Sequence, residues 1–168
     1  REALEEQAPE REDVDPRVDG ARSTIHVQLL TYRADFPDLE AALVRAAKRG
    51  VAVELFVADW AKRPKTLPGL QQLARTPGIA ISFVTLPAWS GGFIPYARVA
   101  HAKLVVVDGV RGWLGTSNWE REYFYESRNV GILIDDAALA RRLDRFFAGT
   151  RRYAYRIDPD VHYEPPRI

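Results

Sequence analysis

The residues most able to do chemistry sit in one stretch, His101-Ala102-Lys103 followed by Asp108 at H-x-K-x4-D spacing, then Gly115-Thr116-Ser117-Asn118 after six more residues. Side chains two apart on a strand point to the same face, so this spacing sets an imidazole beside an ammonium. The pair combines a nucleophile or proton carrier with a fixed positive charge, which phosphodiester chemistry requires. Asp108 precedes Gly109 in a turn, where its carboxylate can reach another polar group. The G-[ST]-x-N run adds a glycine for close backbone approach, with hydroxyl and amide donors for an oxyanion. The bland alternative is a structural histidine, an exposed strand-end lysine and an ordinary Asp-Gly turn. Six specified positions at this spacing arise by chance on the order of once in 10^5 chains, which favours the motif.

Apolar alternation predicts a strand over 99–108, with His101, Lys103, Val105 and Val107 on one face and Ala102, Leu104 and Val106 on the other. Such anchoring holds a polar strand end rigidly. The partner strand is expected near 112–115. Upstream, 24–32 reads as a strand, and FPDLEAALVRAAKRG reads as a helix with Pro37 near its start and Gly50 as its stop. A central strand is expected over 51–58, a helix over 67–75, and a third strand over 79–85. Residues 86–98 form a Gly/Pro-punctuated aromatic loop. A strand over 129–134, a helix opened by Asp135-Asp136 and running through Phe147, and a Pro-rich tail complete the chain. These elements predict an α/β fold, a mixed β-sheet flanked by helices on both faces.

With 168 residues, the chain holds one domain with a sizeable core. Residues 1–15 carry two basic and seven acidic side chains, which predicts an acidic linker or loosely ordered segment ahead of a single domain over 16–168. The whole-chain net charge of +1 gives no global basic field of the sort a dedicated nucleic-acid binder shows. Cysteine is absent, which rules out disulfides, thiolate metal sites and a thiol nucleophile. No apolar run approaches the length of a membrane span, and no signal peptide is visible. The chain opens on Arg1 and holds no Met, as expected of a processed product or a fragment. The compartment is open, with export or membrane association as one expectation.

The H-x-K-x4-D and G-[ST]-x-N runs together resemble the signature of the phospholipase D superfamily. STIHVQLLTY is similar to that family's early strand, and DLEAALVRAAKRGVAVELFVADW to its helix–strand unit. The run from Ser90 to Ile134 looks like the second half of a two-motif member, in the branch that includes animal lysosomal exonucleases and poxviral relatives. This resemblance covers roughly 16–157. It implies a two-step phosphodiesterase that needs no metal or cofactor and works through a phosphohistidine. His101 would be the nucleophile or the acid. Lys103 and Asn118, with Thr116 and Ser117 beside them, would hold phosphate oxygens, and Asp108 would support the site. Many members place a glutamate against a catalytic histidine ahead of the later strand. Asn129 stands at or next to that position, with Glu126 slightly upstream, so His101 would be the less activated histidine of a pair.

One motif supplies one histidine. The resemblance therefore implies a second lobe, either a missing amino-terminal half or a homodimer mate. The substrate expected from near-neutral charge and the aromatic loop is a phospholipid. A nuclease acting on nucleic acid and a non-catalytic lobe kept for assembly are the alternatives. His26 is expected to pack or hydrogen-bond within the sheet, and His162 has no evident partner. The three histidines lack metal-site spacing. Trp89, Phe93, Tyr96 and Arg98 would line a substrate entrance or face a partner lobe. Trp119, Tyr123, Phe124 and Tyr125 read mainly as core, and Arg141, Arg142, Arg145, Arg151 and Arg152 as a solvated face.

Overall fold

The computed structural model describes residues 17–165 and Arg167, so the predicted acidic segment lies outside the described residues. The strands are β1 (Thr24–Leu29), β2 (Ala52–Ala58), β3 (Ile79–Val84), β4 (Leu104–Val107), β5 (Arg111–Gly115), β6 (Gly131–Ile134) and β7 (Ala154–Arg156). The helices are α1 (Pro37–Lys48), α2 (Leu67–Ala74), α3 (Arg121–Tyr125) and α4 (Ala137–Thr150). One seven-stranded sheet runs in the order β6-β5-β4-β1-β2-β3-β7. β1, β2 and β3 are parallel, and the remaining pairings are antiparallel, so the sheet is mixed as expected.

The local sequence explains these elements. Pro37 occupies the first turn of α1, Asp38 and Glu40 sit at its positive end, and Arg45 and Lys48 at its negative end. Gly50 then adopts φ +90, a conformation glycine alone accepts without strain. Leu39, Ala42, Leu43, Ala46 and Ala47 recur at helical spacing and are buried. Each fully buried Leu contributes roughly 1.5–3 kcal/mol.

Strand alternation divides the core in two. Val27, Leu55, Ile81, Val105 and Trp113 share one cluster with Leu39, Leu43 and Leu70 of α1 and α2. Phe56, Leu104 and Val106 share the other with Phe147 of α4. Helices thus cover both faces. His26 lies on the α4 side, stacked on Phe147 at 4.7 Å, with Nδ1 2.5 Å from Asp144, which is the structural role expected of it. Trp119 and Phe124 are buried as core.

Three features depart from expectation. β4 is shorter than the predicted 99–108 strand, and His101 and Lys103 occupy the extended segment immediately before it. α3 and β7 were not predicted. Each is five residues or fewer, too short to show a period. His162 pairs with Glu164 at 2.8 Å on the surface.

Candidate active site

The site forms where β1 ends and β4 begins. β4 enters the sheet with Leu104 opposite Gln28 of β1 and opposite Leu114 of β5. Just before it, the Lys103 carbonyl accepts from Gly115 N–H at 3.1 Å, which ties the extended segment to the end of β5. Gly115 is required there by packing. A Cβ at this position would lie 2.3 Å from the Trp113 indole, which is buried in the core.

Lys103 is only 6% exposed, against the usual place of a lysine. Its Nζ lies 3.0 and 3.2 Å from the two ring nitrogens of His101 and donates to the His101 carbonyl at 3.1 Å. Among the described residues, no carboxylate makes an ion pair with it. Burial pushes its pKa below the ordinary lysine value. A buried ammonium with no counter-charge costs free energy that a bound anion would offset. His101 is exposed, yet partial burial of the imidazole, and then the Lys103 charge, hold its pKa below the usual histidine value. At neutral pH its ring is therefore unprotonated, the form that can act as a nucleophile.

Asn118 is 1% exposed. Its Oδ1 accepts from the backbone N–H groups of Leu30 and Thr31 at 3.1 and 3.3 Å, just past the end of β1. Extending the antiparallel register of β1 and β4 sets Leu30 alongside Ala102, and the two share one apolar cluster. The Asn118 amide is thus fixed beside the His101–Lys103 segment. Its Nδ2 is buried without a partner, a donor still available to a phosphate oxygen. Glu120, which sequence reasoning passed over, braces the same corner. Its carboxylate accepts from Thr31 Oγ1 and lies 3.2 Å from Arg33 Nε. Burial raises its pKa, against the pull of Thr31 and Arg33.

Other predicted site residues have different work. Asp108 lies past the far end of β4, seven residues on from His101 or about 23 Å along the extended chain. Its carboxylate accepts from the backbone N–H groups of Arg22, Ser23 and Thr24 and from the Ser23 hydroxyl, at 2.8–3.2 Å. Burial pushes its pKa up, but those hydrogen bonds outweigh it and hold the carboxyl below the ordinary value. Asp108 therefore pins the start of β1 and does not contact the His101–Lys103 pair. Asn129 does not orient His101 either. Its Oδ1 accepts from Thr116 Oγ1 at 3.0 Å, and its Nδ2 donates to the Tyr123 carbonyl at 2.7 Å. Thr116 also accepts from Val130 N–H, so its hydroxyl is engaged within the β5–β6 connection. Ser117 is wholly buried. Glu126 faces Arg121 at 3.4 Å on the surface. Both partners lie within the same short segment, and neither contacts His101.

Trp89, Phe93 and Tyr96 stand exposed on the loop leading to His101, and Arg98 donates to the Leu86 and Pro87 carbonyls at that loop's base. Arg141, Arg142, Arg145, Arg151 and Arg152 are exposed, with Arg151 paired to Glu54. Among the described residues, no group of three His, Asp or Glu side chains is placed to hold a metal ion. No helix among them is long and apolar enough to cross a membrane.

This arrangement can be set beside known proteins. The family model for the cardiolipin synthase, PLD-like domain matches residues 16–151. A 5'-3' exonuclease PLD3 from Rattus norvegicus is 33% identical over 135 residues, covering 70% of this chain and 28% of its own length. The "Probable phospholipase D F09G2.8" of Caenorhabditis elegans is 28% identical over 125 residues, covering 67% of this chain and 22% of its own. The chain thus spans about a quarter of the length of these curated relatives. Among solved structures, NucT from Helicobacter pylori superposes with a TM-score of 0.79 at 15% identity, over 90% of this chain and 93% of its own. Nuc from Salmonella typhimurium, a phospholipase D family member, gives 0.73 at 21%, over 89% and 93%. The two structural likenesses share the fold, and the family model spans most of the described residues. The chain belongs to the phospholipase D superfamily, as a PLD-like domain.

Proposed function

We propose that this chain is one lobe of a phosphodiesterase in which His101 is the nucleophile and the substrate is nucleic acid. The observation that carries the proposal is the buried Lys103 ammonium, without a counter-ion among the described residues, held against an imidazole kept unprotonated. In the first step a His101 ring nitrogen bonds to phosphorus as the ester bond to the leaving oxygen breaks. A histidine of the second lobe gives that oxygen its proton. In the second step water attacks phosphorus and passes a proton back to that histidine, and the His101–phosphorus bond breaks. Lys103 Nζ and Asn118 Nδ2 neutralise the growing charge on the non-bridging oxygens.

Relatives described as 5'-3' exonucleases support nucleic acid as the substrate class. A phospholipid is the second reading. The exposed aromatic residues of the loop before His101 favour it, as does the relative described as a phospholipase D. The test is a side-by-side assay of the assembled two-lobe protein on single-stranded DNA and on phosphatidylcholine vesicles, without added metal. Cleavage of DNA alone is expected. Turnover of phosphatidylcholine alone overturns the substrate assignment.

A further inference from the structure

Beside His101, on the α4 side of the sheet, lies a cavity of about 450 Å³. That volume falls within the range of small-molecule sites, about 300–1,000 Å³. Its walls include Ala100, the exposed ring of Phe146 on α4, and Tyr153 in the turn after α4. The Arg152 guanidinium stacks over the Tyr153 ring at 4.7 Å and also borders the space. Gln28 of β1 lines it as well. Gln28 is 2% exposed, and its Oε1 has no hydrogen-bond partner.

A buried acceptor left unpaired costs about 1–3 kcal/mol, so a polar group lining a cavity in this state calls for a donor from a ligand. The ligand must also match a wall that is mostly aromatic and apolar, with Arg152 and Thr150 beside it, and it must join a phosphate at His101. An acyl chain satisfies the wall and leaves Gln28 unpaired. A free phosphate could meet Arg152 but leaves the apolar and aromatic wall unfilled. A nucleobase meets all three demands: flat faces for the aromatic wall, an exocyclic amine or ring N–H for Gln28 Oε1, and a covalent link to the phosphodiester.

We propose that this cavity seats the nucleobase next to the scissile phosphate, with Gln28 as its hydrogen-bonding residue and Phe146 as part of its wall. The proposal rests on the nucleic-acid reading above and adds the base contact to it. The phosphate is held by Lys103 and Asn118 on one side of His101, and the base enters toward α4 on the other.

The test measures kcat/KM of the assembled enzyme on a short cytosine oligonucleotide and on an abasic oligomer of the same length. Wild type is expected to prefer the base-bearing substrate. Gln28→Leu, which is close in shape and removes the buried polar group, is expected to lower that preference about tenfold. Phe146→Ala removes an exposed ring with little effect on folding and is expected to lower the same ratio about fivefold or more. The proposal is overturned by a wild-type ratio near one. It is equally overturned by a ratio unchanged in Phe146→Ala or in a folded Gln28→Leu. Failure of the underlying reading looks different: wild type cleaves neither oligomer while releasing choline from phosphatidylcholine vesicles.

Discussion

Replacing Asp108 separates support of the fold from catalysis. Its carboxylate serves four donors, the N–H groups of Arg22, Ser23 and Thr24 and the Ser23 hydroxyl. Removing it in Asp108→Ala forfeits about 1 kcal/mol per hydrogen bond, reduced where water reaches the Arg22 and Ser23 groups. Asp108 also has φ +54, where aspartate is tolerated and alanine costs about 1 kcal/mol more. The sum is about 3 kcal/mol, a fall in melting temperature of roughly 6–12 °C for a chain of this size. Asp108→Asn keeps one acceptor oxygen and the tolerance of positive φ, and should cost about 1 kcal/mol. Folded Asp108 has its pKa below the ordinary 3.8, so its contribution is whole above that pH and fades as the pH falls through the lower folded value. The melting-temperature gap between wild type and Asp108→Asn should close along that acid limb. The assay is thermal unfolding by circular dichroism across pH, paired with kcat at 20 °C on folded protein. A normal melting temperature in Asp108→Asn with kcat reduced a hundredfold or more would refute the structural role.

Three further outcomes follow from the geometry. Lys103→Met should lower kcat/KM by about 10²–10³, as loss of an oxyanion donor does, and move the acid limb of the pH–rate profile upward because the charge that depresses His101 is gone; an unmoved limb would show that this charge does not act on the histidine. Asn118→Ala should destabilise the chain by about 2 kcal/mol, because Leu30 and Thr31 N–H lose their acceptor, and should also slow turnover; urea unfolding and initial rates check the two effects separately. Gly115→Ala should cost about 1–3 kcal/mol by driving a methyl into Trp113, visible as a shift in indole fluorescence.

Much of this was legible in the sequence because it is local. Pro37, the apolar spacing through Ala47 and Gly50 specify α1, and valine runs specify β2 and β4. The shared face of His101 and Lys103 follows from strand alternation. The missing parts depend on contacts between distant segments. Asp108 accepts from residues about 85 positions upstream, and spacing alone gives no sign of that pairing. Asn129 stands near the family's glutamate position, but its amide is held by Thr116 and Tyr123, which only the β5–β6 packing brings together. The burial of Lys103 appears only once β4 lies between β1 and β5. The Gln28 side chain lines one cavity with Phe146, Gly149 and Thr150 of α4, a juxtaposition that strand alternation cannot show.

The central claim is that His101 attacks phosphorus. The assembled protein is quenched with denaturant at neutral-to-basic pH during turnover of a single-stranded oligonucleotide, and its peptides are mapped by mass spectrometry. An acid-labile phosphoramidate adduct is expected on His101 and absent in His101→Ala, which should also be inactive while melting like wild type because the side chain is exposed. An adduct found only on the histidine of the other lobe, or His101→Ala activity near wild type, would contradict the claim.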